Sequence, residues 1–185
     1  VNKATLTATG DNVSRAYGEA NPLFTVTCTG FVNGETAAVL DTAPAATTDA
    51  TQESVPGAYA IVPAGGVADN YDFAYVNGTL TVTKADQTID FAELPAKTYG
   101  DSPFDLSGTA SSDLAVSYAS SDLQVATVSG STVTIVGAGT ATITASQAGD
   151  GNWNPAPDAA RTLAVSRAPL TITAGNASRR VGQPN

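Results

Sequence analysis

Apolar and polar residues alternate along this chain in short runs punctuated by Gly, Asn and Pro, the pattern of half-buried strands separated by turns. In the first half the alternation predicts a strand at residues 4–9. A second falls in FTVTCTG, where Phe24, Val26 and Cys28 share one face and Thr25, Thr27 and Thr29 the other. Closing strands are expected in AYAIVPAGG and NYDFAYVNGTLTVTK, and a short strand or edge in DTAPAATTDATQESVPG. The stretch GDNVSRAYGEANP reads as a turn, Asn33-Gly34 as another, and residues 35–40 as one helical turn. Asn77-Gly78 reads as a hairpin joining the last two strands, because Asn and Gly tolerate the positive φ that both central residues of such a turn require. In the second half LAVSYASS, VATVSG, STVTIVG, GTATITAS and RTLAVSR are short strands, with Val133, Ile135, Ile143 and Ala145 facing inward.

The pattern also repeats at long range. TLTVTKA at residues 79–85 returns as TLAVSRA at 162–168, and a clipped copy, VNKA, opens the chain. Tyr17-Gly18 and Tyr99-Gly100 are 82 residues apart, as are Asn70-Tyr71 and Asn152-Trp153. The end then restarts the beginning: LTITAGNASRRVGQPN aligns with LTATGDNVSRAYGEAN, matching Asn12 with Asn176, Ser14 with Ser178, Arg15 with Arg179, Gly18 with Gly182 and Asn21 with Asn185. Repeats of this length describe an array of small domains. The expected organisation is all-β: a domain at 1–84, an immunoglobulin-like sandwich at 85–167, and at 168–185 the first strand of a further repeat, with Leu170 to Thr173 as that strand. The two complete domains are expected to stand end to end. The sequence leaves the first open between a β-sandwich and a β-grasp-like unit.

Composition narrows the chemistry. The net charge is −9, spread evenly, with eight acids and three bases in 1–84 and nine and three in 85–167. With no basic patch, nucleic acid is not an expected partner. No apolar run is long enough to span a membrane as a helix, so membrane insertion of this segment is not expected either. The chain has no His and one Cys, which removes the commonest general base, the commonest metal ligand and any internal disulfide. An enzyme is therefore not expected, and Cys28 reads as a core residue.

Family resemblances enter at specific residues. In SSDLQVATVSGSTVTIVGAGTATITA, the run Val125-Ala126-Thr127-Val128, Val133, Gly137, Gly139-Thr140-Ala141 and Ile143 resemble bacterial immunoglobulin-like domains of group 2. AYGEANP, GFVNGET, Gly57 to Tyr59 and NYDFAYVNGTLTVTK resemble the MBG-type repeat of bacterial surface proteins, and the restart at Pro169 resembles it again, with Val181 in place of Tyr. These resemblances imply a structural stalk in an adhesin-like protein or fibre at the bacterial cell surface, spacing a distal domain from the cell. Its partners would be neighbouring repeats. The alternative they leave is a carbohydrate- or self-binding module of an extracellular matrix or fibre protein, with surface glycans or other copies as partners.

Candidate sites are few. DGNWNPAPD places Asp150, Asn152 and Asn154 at alternate positions, with Asp158 beyond, like half of a calcium loop. The expected Gly is missing after Asn154, and Arg161 stands where a bidentate acid belongs, so no cofactor is expected beyond that calcium candidate. Trp153 and Tyr118 are candidates for stacking against sugars. Lys3, Lys84 and Lys97 are the lysines open to a spontaneous isopeptide crosslink.

Overall fold

The computed structural model describes residues 2–175 and Val181. Val1 and the restart matches at Asn176, Ser178, Arg179, Gly182 and Asn185 lie outside the described residues. Apart from one 3-10 turn at Ala37–Val39, the described regular structure is β. In the first half the strands are β1 (Ala4–Gly10), β2 (Val13–Ala16), β3 (Val26–Thr29), β4 (Ala45–Thr47), β5 (Gly57–Ala64), β6 (Tyr71–Val76) and β7 (Gly78–Thr83). In the second they are β8 (Ile89–Asp90), β9 (Lys97–Thr98), β10 (Phe104–Asp105), β11 (Thr109–Ala110), β12 (Ser117–Ser120), β13 (Ala126–Ser129), β14 (Thr132–Ile135), β15 (Gly139–Ser146) and β16 (Ala159–Ser166).

The chain folds as two compact β units. The first comprises Val1–Ile89, Thr109–Ala115 and Gln147–Pro157. The second comprises Asp90–Gly108, Val116–Ser146 and Asp158–Asn185.

In the first unit, β1 lies between β3 and β6 in one sheet, while a second sheet runs β2-β7-β5-β4. Each sheet carries its own buried cluster. Leu6, Ala68 and Tyr71 form one, joined by Phe31, Leu40 and Phe73. Ala50, Ile61, Leu80 and Val82 form the other, joined by Val13, Phe24 and Tyr59. A β-grasp needs a helix lying across one sheet. Within residues 2–84 the described helical structure is a single short turn capped by the Thr36 hydroxyl, so these residues do not adopt the β-grasp alternative.

Two local expectations are corrected. Asn77-Gly78 is no hairpin turn: β6 pairs parallel with β1, and β7 pairs with β2 and β5, so the chain crosses between sheets there. Neither residue takes positive φ, whereas Asn33 and Gly34 do, at 55° and 74°. Gly78 is required instead by close approach, because a Cβ would lie 2.4 Å from the carbonyl oxygens of both Gly10 and Asp11. The crossing is tied by the Thr79 N–H donating to Asn12 Oδ1 at 2.8 Å. The second correction is β2, inside the stretch expected to be only a turn. Its inward positions are Val13 and the buried Arg15, and a charged inward residue conceals the apolar alternation.

The second unit pairs β10-β14-β13 in one sheet and β12-β15-β16-β9 in another. Val133, Ile143 and Ala145 are fully buried between polar neighbours, as the alternation predicts, while Ile135, the fourth position expected to face inward, is half-buried. Ser129-Gly130 closes the β13–β14 hairpin with Gly130 at φ 60°.

Beyond β16 the expected strand at Leu170 to Thr173 is not formed. Leu170 and Ile172 are 86 % and 85 % exposed, although their counterparts Leu6 and Ala8 are fully buried in β1. A strand is defined by its partners. Leu6 and Ala8 have β6 beside them, and nothing among the described residues takes that place for Leu170.

Candidate functional site

The repeated phrase builds the same geometry in both halves of the chain. At its first occurrence the Ala4 N–H donates to the Asn70 carbonyl at 3.0 Å, and the Lys3 ammonium donates to the Ala68 carbonyl at 3.1 Å. At its second the Ala85 N–H donates to the Asn152 carbonyl at 2.9 Å, and the Lys84 ammonium donates to the Asp150 carbonyl at 2.6 Å. Each Lys-Ala pair thus starts a parallel contact with an Asn-aromatic pair, Ala4 opposite Tyr71 and Ala85 opposite Trp153. Each lysine reaches the carbonyl two residues before that Asn. The three lysines open to crosslinking are engaged in other ways: Lys3 and Lys84 as described, and Lys97 with its ammonium 4.6 Å from the centre of the Phe104 ring.

The Tyr-Gly turns are equally matched. The Tyr17 N–H donates to the Thr83 carbonyl at 2.9 Å, and the Tyr99 N–H to the Ser166 carbonyl at 2.8 Å. Gly18 and Gly100 take φ of 80° and 99°, which lets the chain reverse at once. The acid that follows caps the turn: Glu19 accepts from the Ala16 N–H and Asp101 from the Thr98 N–H, each at 2.9 Å. Through these turns β2 runs parallel to β7, the closing strand of the first unit, and β9 runs parallel to β16, that of the second.

Two buried polar groups organise the first unit, and sequence reading missed both. Arg15, 5 % exposed, donates from Nε to Asn21 Oδ1 at 2.7 Å, from Nη1 to the Ala16 carbonyl at 3.0 Å and from Nη2 to the Thr51 carbonyl. Asn21 in turn donates to the Ala50 carbonyl at 2.7 Å. Gln87 donates to Gln147 Oε1 and to the Asn154 carbonyl, both at 2.7 Å, and accepts from the Ser112 hydroxyl. The available signal for Arg15 was its place in the repeat, opposite Lys97. No local signal marks Gln87.

Tyr71 is buried and joins two loops. Its hydroxyl donates to the Glu35 carboxylate and accepts from the Val32 N–H at 3.1 Å. The bond to Glu35 holds the phenolic proton and raises the pKa, outweighing the Val32 donor, which works the other way. The unfolded phenol ionises at about 10 while the folded one retains its proton, so above that pH the unfolded state binds fewer protons and stability falls as pH rises. Urea unfolding between pH 8 and 11 should therefore give a steeper alkaline loss for the wild type than for Tyr71→Phe. Equal slopes would contradict the Glu35 bond. Burial likewise raises the pKa of the half-buried Cys28 thiol, which favours the protonated form.

The calcium candidates are engaged in building their own loop. Asp150 Oδ1 accepts from the Asn152 and Trp153 N–H groups at 2.8 and 2.9 Å, and Asn154 donates its amide to Asp86 at 2.8 Å. Asp158 belongs to the other compact unit. Among the described residues no group of three acidic or cysteine side chains is placed to hold a metal ion.

The stacking candidates also fall in different units, Trp153 in the first and Tyr118 in the second. The Tyr118 hydroxyl accepts from the Gly108 N–H at 2.7 Å and donates to the Gly108 carbonyl at 3.1 Å, with its ring 5.6 Å from that of Phe91. Trp153 meets Tyr17 edge to face at 6.0 Å. As a half-buried anchor, Trp153→Ala should cost about 2 kcal/mol in urea unfolding. A ring kept for sugar would leave stability unchanged on removal.

Comparison with known proteins bears mainly on the first half. No curated protein matches the chain. Among solved structures it is similar to the crystal structure of Drosophila N-cadherin EC1-4, with 14 % identity, a TM-score of 0.42, and coverage of 90 % of this chain and 50 % of that one. For Sidekick-1 immunoglobulin domains 1-4 the identity is 13 %, the TM-score 0.28, and the coverage 86 % and 52 %. The chain thus spans about half the length of either structure. The family model of the MBG domain (YGX type) matches residues 5–81, a span that holds the first Tyr-Gly turn and its capping Glu19.

Proposed function

We propose that this chain is a non-enzymatic stalk module of a bacterial cell-surface or secreted adhesin-like protein or fibre, which spaces a distal functional domain from the cell and carries tension between them. In this reading residues 1–84 are an MBG-type domain, 85–167 a bacterial immunoglobulin-like domain of group 2, and 168–185 the start of a further MBG-type repeat. One observation carries the proposal: strands near the entry of each unit pair parallel with strands near its exit, β1 with β6 and β2 with β7 in the first, β9 with β16 in the second. When the two ends are pulled apart, parallel partners slide along each other and their hydrogen bonds must fail together. Antiparallel neighbours joined by a turn open one bond at a time. The match to the MBG family and the resemblances of the sequence support an extracellular location. Among the described residues no helix is long and apolar enough to cross a membrane.

Placed between a cell-wall anchor and a ligand-binding head, the segment should keep bacteria attached to a ligand-coated surface under flow. Detachment as rapid as for a head joined by an unstructured linker of equal length would overturn the proposal. A glycan-dependent change in Trp153 fluorescence would favour the carbohydrate-binding alternative instead.

A further inference from the structure

The exit of the second unit carries the same donor set as the junction at Lys84-Ala85. Tyr99 follows β9 as Tyr17 follows β2, and Arg167-Ala168 follow β16 as Lys84-Ala85 follow β7. In the first unit this set holds the loop at 150–153. The Tyr17 ring meets Trp153, the Lys84 ammonium donates to the Asp150 carbonyl, and the Ala85 N–H donates to the Asn152 carbonyl. In the second unit Tyr99, Arg167 and Ala168, with Val136, Gly137 and Ala138, line an open cleft of about 430 Å³. Tyr99 is 52 % exposed there, and the chain beyond presents Leu170 and Ile172 at the positions of the buried Leu6 and Ala8.

We propose that this cleft is a docking surface for the Asn-aromatic loop of a further β repeat, of the kind residues 150–153 form against Tyr17. The proposal rests on the stalk reading and adds the partner. The occupant follows from continuity with the junction already built. Arg167 offers its guanidinium to the carbonyl two residues before the incoming Asn, and the Ala168 N–H donates to that Asn's carbonyl. The Tyr99 ring receives the aromatic edge to face. Leu170 and Ile172 then enter the core of the added repeat, as Leu6 and Ala8 do in the first unit.

The test joins a second copy of residues 85–167 directly after Arg167, so that its 150–153 loop can reach Tyr99, and compares Tyr99→Ala in the original and the extended chain. In the original chain the substitution should leave unfolding unchanged, since it removes an exposed ring. In the extended chain it should raise the unfolding constant of the added repeat roughly threefold to tenfold, the range of an edge-to-face aromatic pair, and Tyr99→Phe should restore it. A magnetisation-transfer contact between the rings of Tyr99 and the added copy of Trp153, the aromatic that meets Tyr17, should accompany this in the unsubstituted extended chain. Equal effects in both chains, or absence of that contact, would overturn the docking proposal. Attachment under flow is measured without the added repeat, so the two readings can fail separately.

Discussion

Arg15→Met is expected to destabilise the first unit by about 3 kcal/mol, because it leaves the Asn21, Ala16 and Thr51 oxygens without the donor that satisfies them in a buried site. A loss of that size is a large fraction of the stability of a small domain. The guanidinium holds these acceptors with a fixed planar fork, which an ammonium cannot reproduce. Arg15→Lys should therefore fall between methionine and the wild type rather than restore it. Urea unfolding of the three proteins decides the matter. Wild-type stability in Arg15→Met would mean that the guanidinium is no part of the core.

Gly78→Ala should cost roughly 3 kcal/mol, at the upper end for overpacking, since the added methyl meets the Gly10 and Asp11 carbonyl oxygens rather than side chains that can rotate away. Gly34→Ala makes the informative comparison. Its φ of 74° is strained for alanine, yet a methyl there meets no neighbour, so its penalty should be smaller, about 1 kcal/mol. A hairpin at Asn77-Gly78 would remove the difference, because Gly78 would then carry only the penalty for positive φ, as Gly34 does.

That contrast marks how far the fold is legible in the chain. Alternation located Val133, Ile143 and Ala145 because each strand there has one apolar face, and burial of that face is what selects the strand. Asn77-Gly78 was misread because a hairpin signal is local, while the partner of β6 is β1, more than sixty residues away in sequence. β2 was missed because Arg15 occupies an inward position. Its satisfaction depends on Asn21 and Thr51, which no pattern in the strand announces. The short β8, β9, β10 and β11 carry too few residues for any period to register.

The repeated phrase was legible, and in two of its copies the Lys-Ala pair makes the same contacts with an Asn-aromatic pair. Its chemistry was not, since the lysines act on the backbone carbonyls of Ala68 and Asp150. Any residue supplies a carbonyl, so sequence identity leaves no trace of such an acceptor. The acid after each Tyr-Gly is the opposite case. Glu19 and Asp101 differ in length yet cap the same N–H, and the repeat alignment had already set them in register.

The claim that these units carry tension is tested most directly by pulling single molecules along two directions. With handles at the chain ends, β1 against β6 and β2 against β7 are loaded in shear. With handles at Ala58 and Thr81, opposite each other on antiparallel β5 and β7, the same unit is peeled one hydrogen bond at a time. Forced unfolding reports the barrier along the pulled direction rather than the equilibrium stability. The first unit should open at clearly higher force when pulled from its ends than when peeled. Equal forces, or a lower force from the ends, would contradict it.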